Sequence, residues 1–225
     1  MLVVASDGGY LPRPELREEV LLTPGERVEV MVPGSRAPGV YRLLSLPYNR
    51  GGMGMVMGGN NTSASFEVAR LRYGSLADST WNLPESLIRI DGLPEPAVRR
   101  VFQLGQGMGM GMGMMGGGMN FTINGRTFSE ARIDVRAKLN DVEEWEFVNP
   151  SSMDHPMHIH TNPFQVVRGG SWTGWKDTVL VKAGSRVAVR SAFRDYEGMS
   201  PYHCHILDHE DQGMMGTLEI AGADH

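Results

Sequence analysis

The chain has 225 residues, 41% of them apolar and 21% charged, with 21 Lys and Arg against 26 Asp and Glu for a net charge of −5. This is enough apolar material for an ordinary core in one or two domains. It excludes nucleic acid as a partner, because no run of Lys and Arg is dense enough to grip a phosphate backbone, and it excludes a membrane-spanning segment.

The first residues, MLVVASDGGY, run into a Gly-rich turn without the basic segment and apolar run of a secretory signal. Taken alone, they point to a cytoplasmic protein or to one whose beginning lies elsewhere. Farther along, apolar and polar residues alternate in short runs. Val28, Val30 and Val32 flank Glu29, Trp145 and Phe147 alternate with Glu144 and Glu146, and Val187 and Val189 alternate with Ala188 and Arg190. A period of two predicts half-buried strands, and the pairs Pro24-Gly25, Asn124-Gly125 and Ala183-Gly184 supply turns to bound them. No sustained helical periodicity competes, so the expected fold is all-β and sandwich-like.

A weak internal repeat relates two parts of the chain. Gly25-Glu-Arg-Val-Glu-Val30 echoes Gly184-Ser-Arg-Val-Ala-Val189, and in each case a glycine follows fourteen residues later, Gly39 and Gly198. The offset of 159 residues is that of a domain. Beyond Gly39 the chain is apolar, whereas beyond Gly198 it reaches Tyr202-His-Cys-His205. The expected organisation is an incomplete first domain over 1–83, a Pro-bearing linker over 84–97 and a metal-binding domain over 98–225. The first unit has too few strands to close a sandwich by itself.

Two tracts alternate Met with Gly. Met53, Met55 and Met57 form one, and Met108, Met110, Met112 and Met114 the other. In extended chain each set falls on one face, and thioethers are soft ligands suited to Cu(I). The same composition also suits a low-complexity loop whose methionines cover apolar surface.

Six of the seven histidines lie in two clusters, His155-Pro-Met-His158-Ile-His160 and His203-Cys204-His205-Ile-Leu-Asp-His209, with Met214 shortly after; His225 is a tail residue. Two imidazoles, one thiolate and a weak thioether make a blue-copper site, and His155, Cys204, His209 and Met214 supply that set. Neighbouring side chains of a strand point to opposite faces, so His203 and His205 must face away from the metal held by Cys204. A second metal site is expected there, joined by His158 and His160. Zinc is the competing metal, but a structural zinc site takes four ligands, usually with several thiolates, and has no use for the remaining histidines.

HPMHIH and HCHILDHEDQGMMG together resemble the paired C-terminal motifs of multicopper oxidases, HxxHxH and HCHxxxH with an axial Met. SDGGYL, PGERVEV, FTING and WKDTV are similar to that family too, so the likeness covers most of the chain. It implies cupredoxin-like Greek-key domains and copper of types 1, 2 and 3. The type 1 ligands would be His155, Cys204, His209 and Met214, the type 2 ligand His158, and the type 3 ligands His160, His203 and His205. Glu210 resembles the acid that relays protons to the oxygen-reducing centre, and Asp177 in WKDTV could support a ligand histidine.

The resemblance further implies oxidation of phenols or Cu(I) coupled to reduction of dioxygen to water, in a periplasmic or secreted enzyme of three such domains. The Met-rich tracts resemble segments associated with Cu(I) oxidation in bacterial relatives. Four further histidines of the family's trinuclear centre belong to an N-terminal domain whose two HxH motifs have no counterpart here. The expected chain is therefore late domain 2 plus domain 3, with half of the oxygen-reducing site. The alternative is a mononuclear blue-copper electron carrier whose additional histidines are idle.

Overall fold

The computed structural model describes residues 1–34, 36–49, 64–74, 82–108, 119–169 and 174–222, with Met108 described by its backbone alone. Met53, Met55, Met57, Met110, Met112, Met114 and His225 therefore lie outside the described residues.

The first part of the chain forms two small sheets. Strand β1 (Leu2–Ser6) pairs antiparallel with β2 (Gly9–Leu16) across an Asp7-Gly8 turn and, on its other edge, with β3 (Val28–Met31). Strands β4 (Gly39–Ser45) and β5 (Phe66–Tyr73) make an antiparallel pair. Val3, Val4, Ala5 and Leu11 are buried, but β3 departs from its sequence pattern, since Glu29 and Val30 are both exposed. Alternation buries one face of a strand only where another layer lies over it. Among the described residues no second layer covers β3, and Val40, Leu43, Phe66 and Val68 of the β4–β5 pair are exposed as well.

The later part is a sandwich of two sheets. One carries β12 (Trp175–Lys176), β11 (Phe164–Arg168), β14 (Arg186–Ala192), β9 (Val142–Val148), β6 (Val98–Met108) and β7 (Met119–Ile123), in that spatial order. The other carries β13 (Thr178–Val181), β10 (His155–Ile159), β15 (Gly198–Cys204), β16 (Met215–Ala221) and β8 (Val135–Lys138). The chain crosses between the sheets instead of pairing each strand with its successor, as a Greek-key sandwich requires. Their inner faces meet in one core that includes Phe102, Trp145, Phe147, Tyr202 and Leu218. Asn124 and Gly125 both have positive φ, 53° and 74°, the backbone that a tight two-residue turn demands.

Strand β9 was expected to be half-buried with its acids in water, and the structure corrects this. It is a central strand between β14 and β6, and both Glu143 and Glu144 are buried. Burial of a carboxylate needs partners. Arg100 holds Glu143 through two hydrogen bonds of 2.7 Å, and Trp145 Nε1 donates a third at 2.8 Å. Arg190 and Arg168 bind Glu144 at 2.8 and 3.0 Å.

The two parts are in contact. The Gly8 amide and the Ser6 hydroxyl both donate to the Trp175 carbonyl, and the buried Lys176 ammonium lies 3.0 Å from Asp7 and 2.9 Å from Glu26. Tyr48 donates to Asp154 at 2.8 Å, next to His155 in sequence.

Candidate metal centres

Strands β10 and β15 are antiparallel neighbours in which Met157 lies opposite Cys204 and His158 opposite His203. Directly opposed residues share a face, and the faces alternate along each strand. His155, Met157 and Cys204 consequently point into the core, while His158, His160, His203 and His205 point out of the other side. The register alone sorts HPMHIH and YHCH into two groups.

The first group closes at the core end. Helix α1 (Leu207–Asp211) directly follows β15 and turns His209 back over Cys204. His155 Nδ1 lies 3.0 Å from His209 Nδ1, and Cys204 Sγ lies 3.9 and 3.6 Å from those two nitrogens. Atoms so spaced share a point about 2 Å from each, the reach of an imidazole nitrogen to a first-row metal. All three residues are buried. Met214 is also fully buried, its amide donating to the His209 carbonyl and its carbonyl accepting from the Cys204 amide.

Hydrogen bonds orient this group. Ser151 donates to Asn149 Oδ1 at 2.6 Å and so accepts from His155 Nε2, 3.1 Å away. That leaves His155 Nδ1 with its lone pair toward Cys204. Phe121 stacks on the His209 ring at 3.8 Å between centroids. Burial, aided by the neighbouring His209, pushes His155 down to about 3, and burial pushes the Cys204 thiol up to about 12. Without a metal, this is a neutral imidazole beside a protonated thiol, and a cation binding there must displace the thiol proton.

On the outer face, His158, His203 and His205 bring ligand nitrogens within 4.8 Å of one another, and His160 Nε2 lies 2.9 Å from His203 Nε2. His158 donates from Nδ1 to the Asp177 carbonyl at 2.8 Å, and His203 donates from Nδ1 to the Cys204 carbonyl at 3.1 Å. In both rings Nε2 is left to accept a metal. Burial, with the adjoining imidazoles, lowers the pKa of His205 to about 4 and that of His160 as well. Thr161, directly after His160, holds a φ of 61°, a costly conformation for a β-branched residue. Its hydroxyl and the Asn162 amide both donate to the His160 carbonyl.

Glu210 lies with Oε2 3.3 Å from His203 Nδ1, unlike the exposed Asp208 and Asp211 that flank it in α1. Burial opposes ionisation of Asp177, but hydrogen bonds from His158, Arg27 and Thr178 outweigh it and hold the carboxyl well below the usual range. Sequence reasoning did not find Ser151, Phe121, Thr178 or Arg27. Their signals were local: Ser151 lies in the Asn149-Pro-Ser-Ser turn, and Phe121, Thr178 and Arg27 lie in the FTING, WKDTV and PGERVEV runs noted above.

Residues 95–224 match the family model described as multicopper oxidase. The chain belongs to the multicopper oxidase family. Its relatives include a multicopper oxidase of Staphylococcus haemolyticus, 28% identical over 96% of this chain and 42% of that protein. A laccase of Bacillus subtilis is 25% identical over 96% of this chain and 45% of that protein. Among solved structures, a multicopper oxidase from Campylobacter jejuni described as a metallo-oxidase superposes with a TM-score of 0.83 and 31% identity, covering 97% of this chain and 48% of that one. The chain thus spans under half the length of these relatives. The expected cupredoxin-like sandwich is the fold they share. Copper is the family's metal, and a buried group of two imidazoles and one thiol, with the buried Met214 tied through its backbone to His209 and Cys204, fits it. Among the described residues no helix is long and apolar enough to cross a membrane.

Proposed function

We propose that this chain supplies the electron entry and half of the oxygen-reducing centre of a laccase-like multicopper oxidase. The carrying observation is the opposition across β15, where Cys204 meets His155 and His209 on one face while His203 meets His160 on the other. His155, Cys204, His209 and Met214 would hold type 1 copper, His158 type 2 copper, and His160, His203 and His205 type 3 copper. Bound at these residues, copper would supply one-electron redox chemistry, coupling oxidation of a phenol or of Cu(I) to the four-electron reduction of dioxygen to water.

The residues divide the remaining work. Cys204 and its two flanking histidines give a covalent route of one peptide unit between the groups. Ser151 and Phe121 orient the imidazoles of the entry site and keep water from them. Glu210, in reach of His203, holds and passes protons for the reduction. Support for Cu(I) as a reductant comes from the tract that begins at Met108. Met108 pairs with Met119 across β6 and β7, and Phe121 on the same strand stacks on His209.

Dioxygen reduction needs four further histidines, which we assign to an N-terminal cupredoxin domain in a longer, periplasmic or secreted protein. The shares of 42% and 48% of the relatives' lengths support this. Copper loading followed by visible and EPR spectra tests the proposal, together with oxygen uptake on a phenol. The expected result for the 225-residue chain is a thiolate-to-copper band, a second non-blue copper signal and no oxygen consumption. Joining it to a domain with two HxH pairs should restore uptake. A blue band with no second copper would favour the electron carrier, and no blue band would sink both readings. Deleting residues 107 to 118 in the joined protein should depress Cu(I) oxidation more than phenol oxidation.

A further inference from the structure

The turn from Pro24 to Arg27 belongs to the part of the chain that contains no histidine or cysteine, yet it bears on two of the four outer-face histidines. Gly25 lies against His205. A Cβ placed on Gly25 would come within 2.5 Å of His205 Cδ2 and 2.7 Å of Nε2, and its φ of +83° disfavours any side chain.

Two residues later, Arg27 donates from Nη1 and Nη2 to the two carboxylate oxygens of Asp177 at 2.8 and 2.7 Å. The same guanidinium donates to the Gly25 carbonyl at 2.9 Å and the Asp7 carbonyl at 2.8 Å, so it clamps its own turn and Asp177 together. Asp177 extends the network to the metal face. Its carbonyl accepts from His158 Nδ1, and its Oδ1 accepts from the Thr178 hydroxyl, itself 3.2 Å from that same Nδ1.

A half-exposed ion pair with no such attachment would contribute little and be screened by salt. This pair is bidentate, and it ends on a residue that fixes an imidazole. We propose that the Pro24–Arg27 turn is a positioning element for the outer-face copper site: Arg27 acts through Asp177 to hold His158 with Nε2 toward the metal, and Gly25 sets the ring of His205. The inference rests on the outer-face histidines binding copper, as proposed above. It makes the domain without ligands a determinant of metal affinity in the domain with them.

The test uses the 225-residue chain with Arg27→Met, Arg27→Lys, Gly25→Ala and, as a control for losing an exposed ion pair, Arg17→Met, which removes the Arg17–Glu15 contact. Cu(II) is titrated with the thiolate band reporting the core site and non-blue EPR reporting the outer site. Nitrogen NMR of the imidazoles in metal-free protein reports the His158 tautomer. Arg27→Met and Gly25→Ala should weaken outer-site Cu(II) binding by about tenfold or more, the usual effect of losing a partner behind a ligand, with the core site unchanged. Arg27→Lys, which keeps the charge but loses the fork, should fall between, and Arg17→Met should match wild type. His158 should be a single Nδ1–H tautomer in wild type and a mixture in Arg27→Met.

Unchanged outer-site affinity and tautomer in Arg27→Met would overturn the proposal. So would equal weakening of both sites together with a lowered melting midpoint, which would make the turn a fold contact only. If wild type takes up no outer-site copper, the copper reading itself fails. The tautomer comparison then still decides whether Arg27 positions His158.

Discussion

Cys204 and His203 are consecutive in β15 and leave it on opposite faces, Cys204 Sγ 3.6 Å from His209 Nδ1 and His203 Nε2 2.9 Å from His160 Nε2. One peptide unit joins two groups of candidate ligands that share no side chain. Each should therefore be removable without the other. Cys204→Ser is expected to abolish the thiolate-to-copper band and leave the non-blue EPR signal, and His203→Ala is expected to do the reverse. Loss of both signals in either variant would refute the separation.

Ser151 fixes which nitrogen of His155 faces the core site. Ser151→Ala should weaken copper binding there about tenfold, as loss of a hydrogen-bond partner behind a metal ligand typically does. Competition titration against a chelator, followed by the visible band, measures it. An unchanged affinity would mean that packing alone orients the ring.

Phe121 is buried and stacked on His209. Phe121→Ala should cost about 3–5 kcal/mol in denaturant unfolding, the range for emptying a core aromatic. It should also lower the reduction potential of copper at this site, because water gains access to the thiolate's surroundings. A potential at or above the wild-type value would contradict that role.

Arg100→Met strips the buried Glu143 of its bidentate partner and should destabilise the chain by about 3–5 kcal/mol. Adding Glu143→Gln to Arg100→Met should recover part of that loss, since the uncompensated charge is gone. Denaturant midpoints of the two variants make the comparison.

Metal-free stability should peak between the ordinary imidazole and thiol ranges. Burial pushes His155 down to about 3 and His205 down to about 4, from 6.5. Below pH 6.5 the unfolded chain then binds more protons than the folded one, and stability falls with falling pH. Burial pushes Cys204 up from 9.0 to about 12, so above pH 9 the unfolded chain releases its proton first and stability falls again. Thermal midpoints of the metal-free chain from pH 4 to 10 should trace this dome, and a flat profile would refute it.

The two groupings of histidines about Cys204 were legible in the sequence because strand alternation converts a spacing of two into a shared face. HPMHIH and YHCH need only the β10–β15 register to sort themselves. The Asn124-Gly125 turn was legible for a similarly local reason. Helix α1 was not, since it spans only Leu207–Asp211 and has no side-chain cap to announce it. Burial of Glu144 was misread because periodicity gives the faces of a strand but not its place in a sheet. Arg27 and Asp177 meet across 150 residues, a proximity that no local pattern encodes.

The pairing of Met108 with Met119 fixes the mouth of the segment between them beside the aromatic lid of the core site. Adding residues between two anchored points of a chain costs free energy only as the logarithm of the length between them. That span can accordingly be rewritten or extended by evolution, or by an engineer, without shifting the register of the strands that carry the candidate metal ligands.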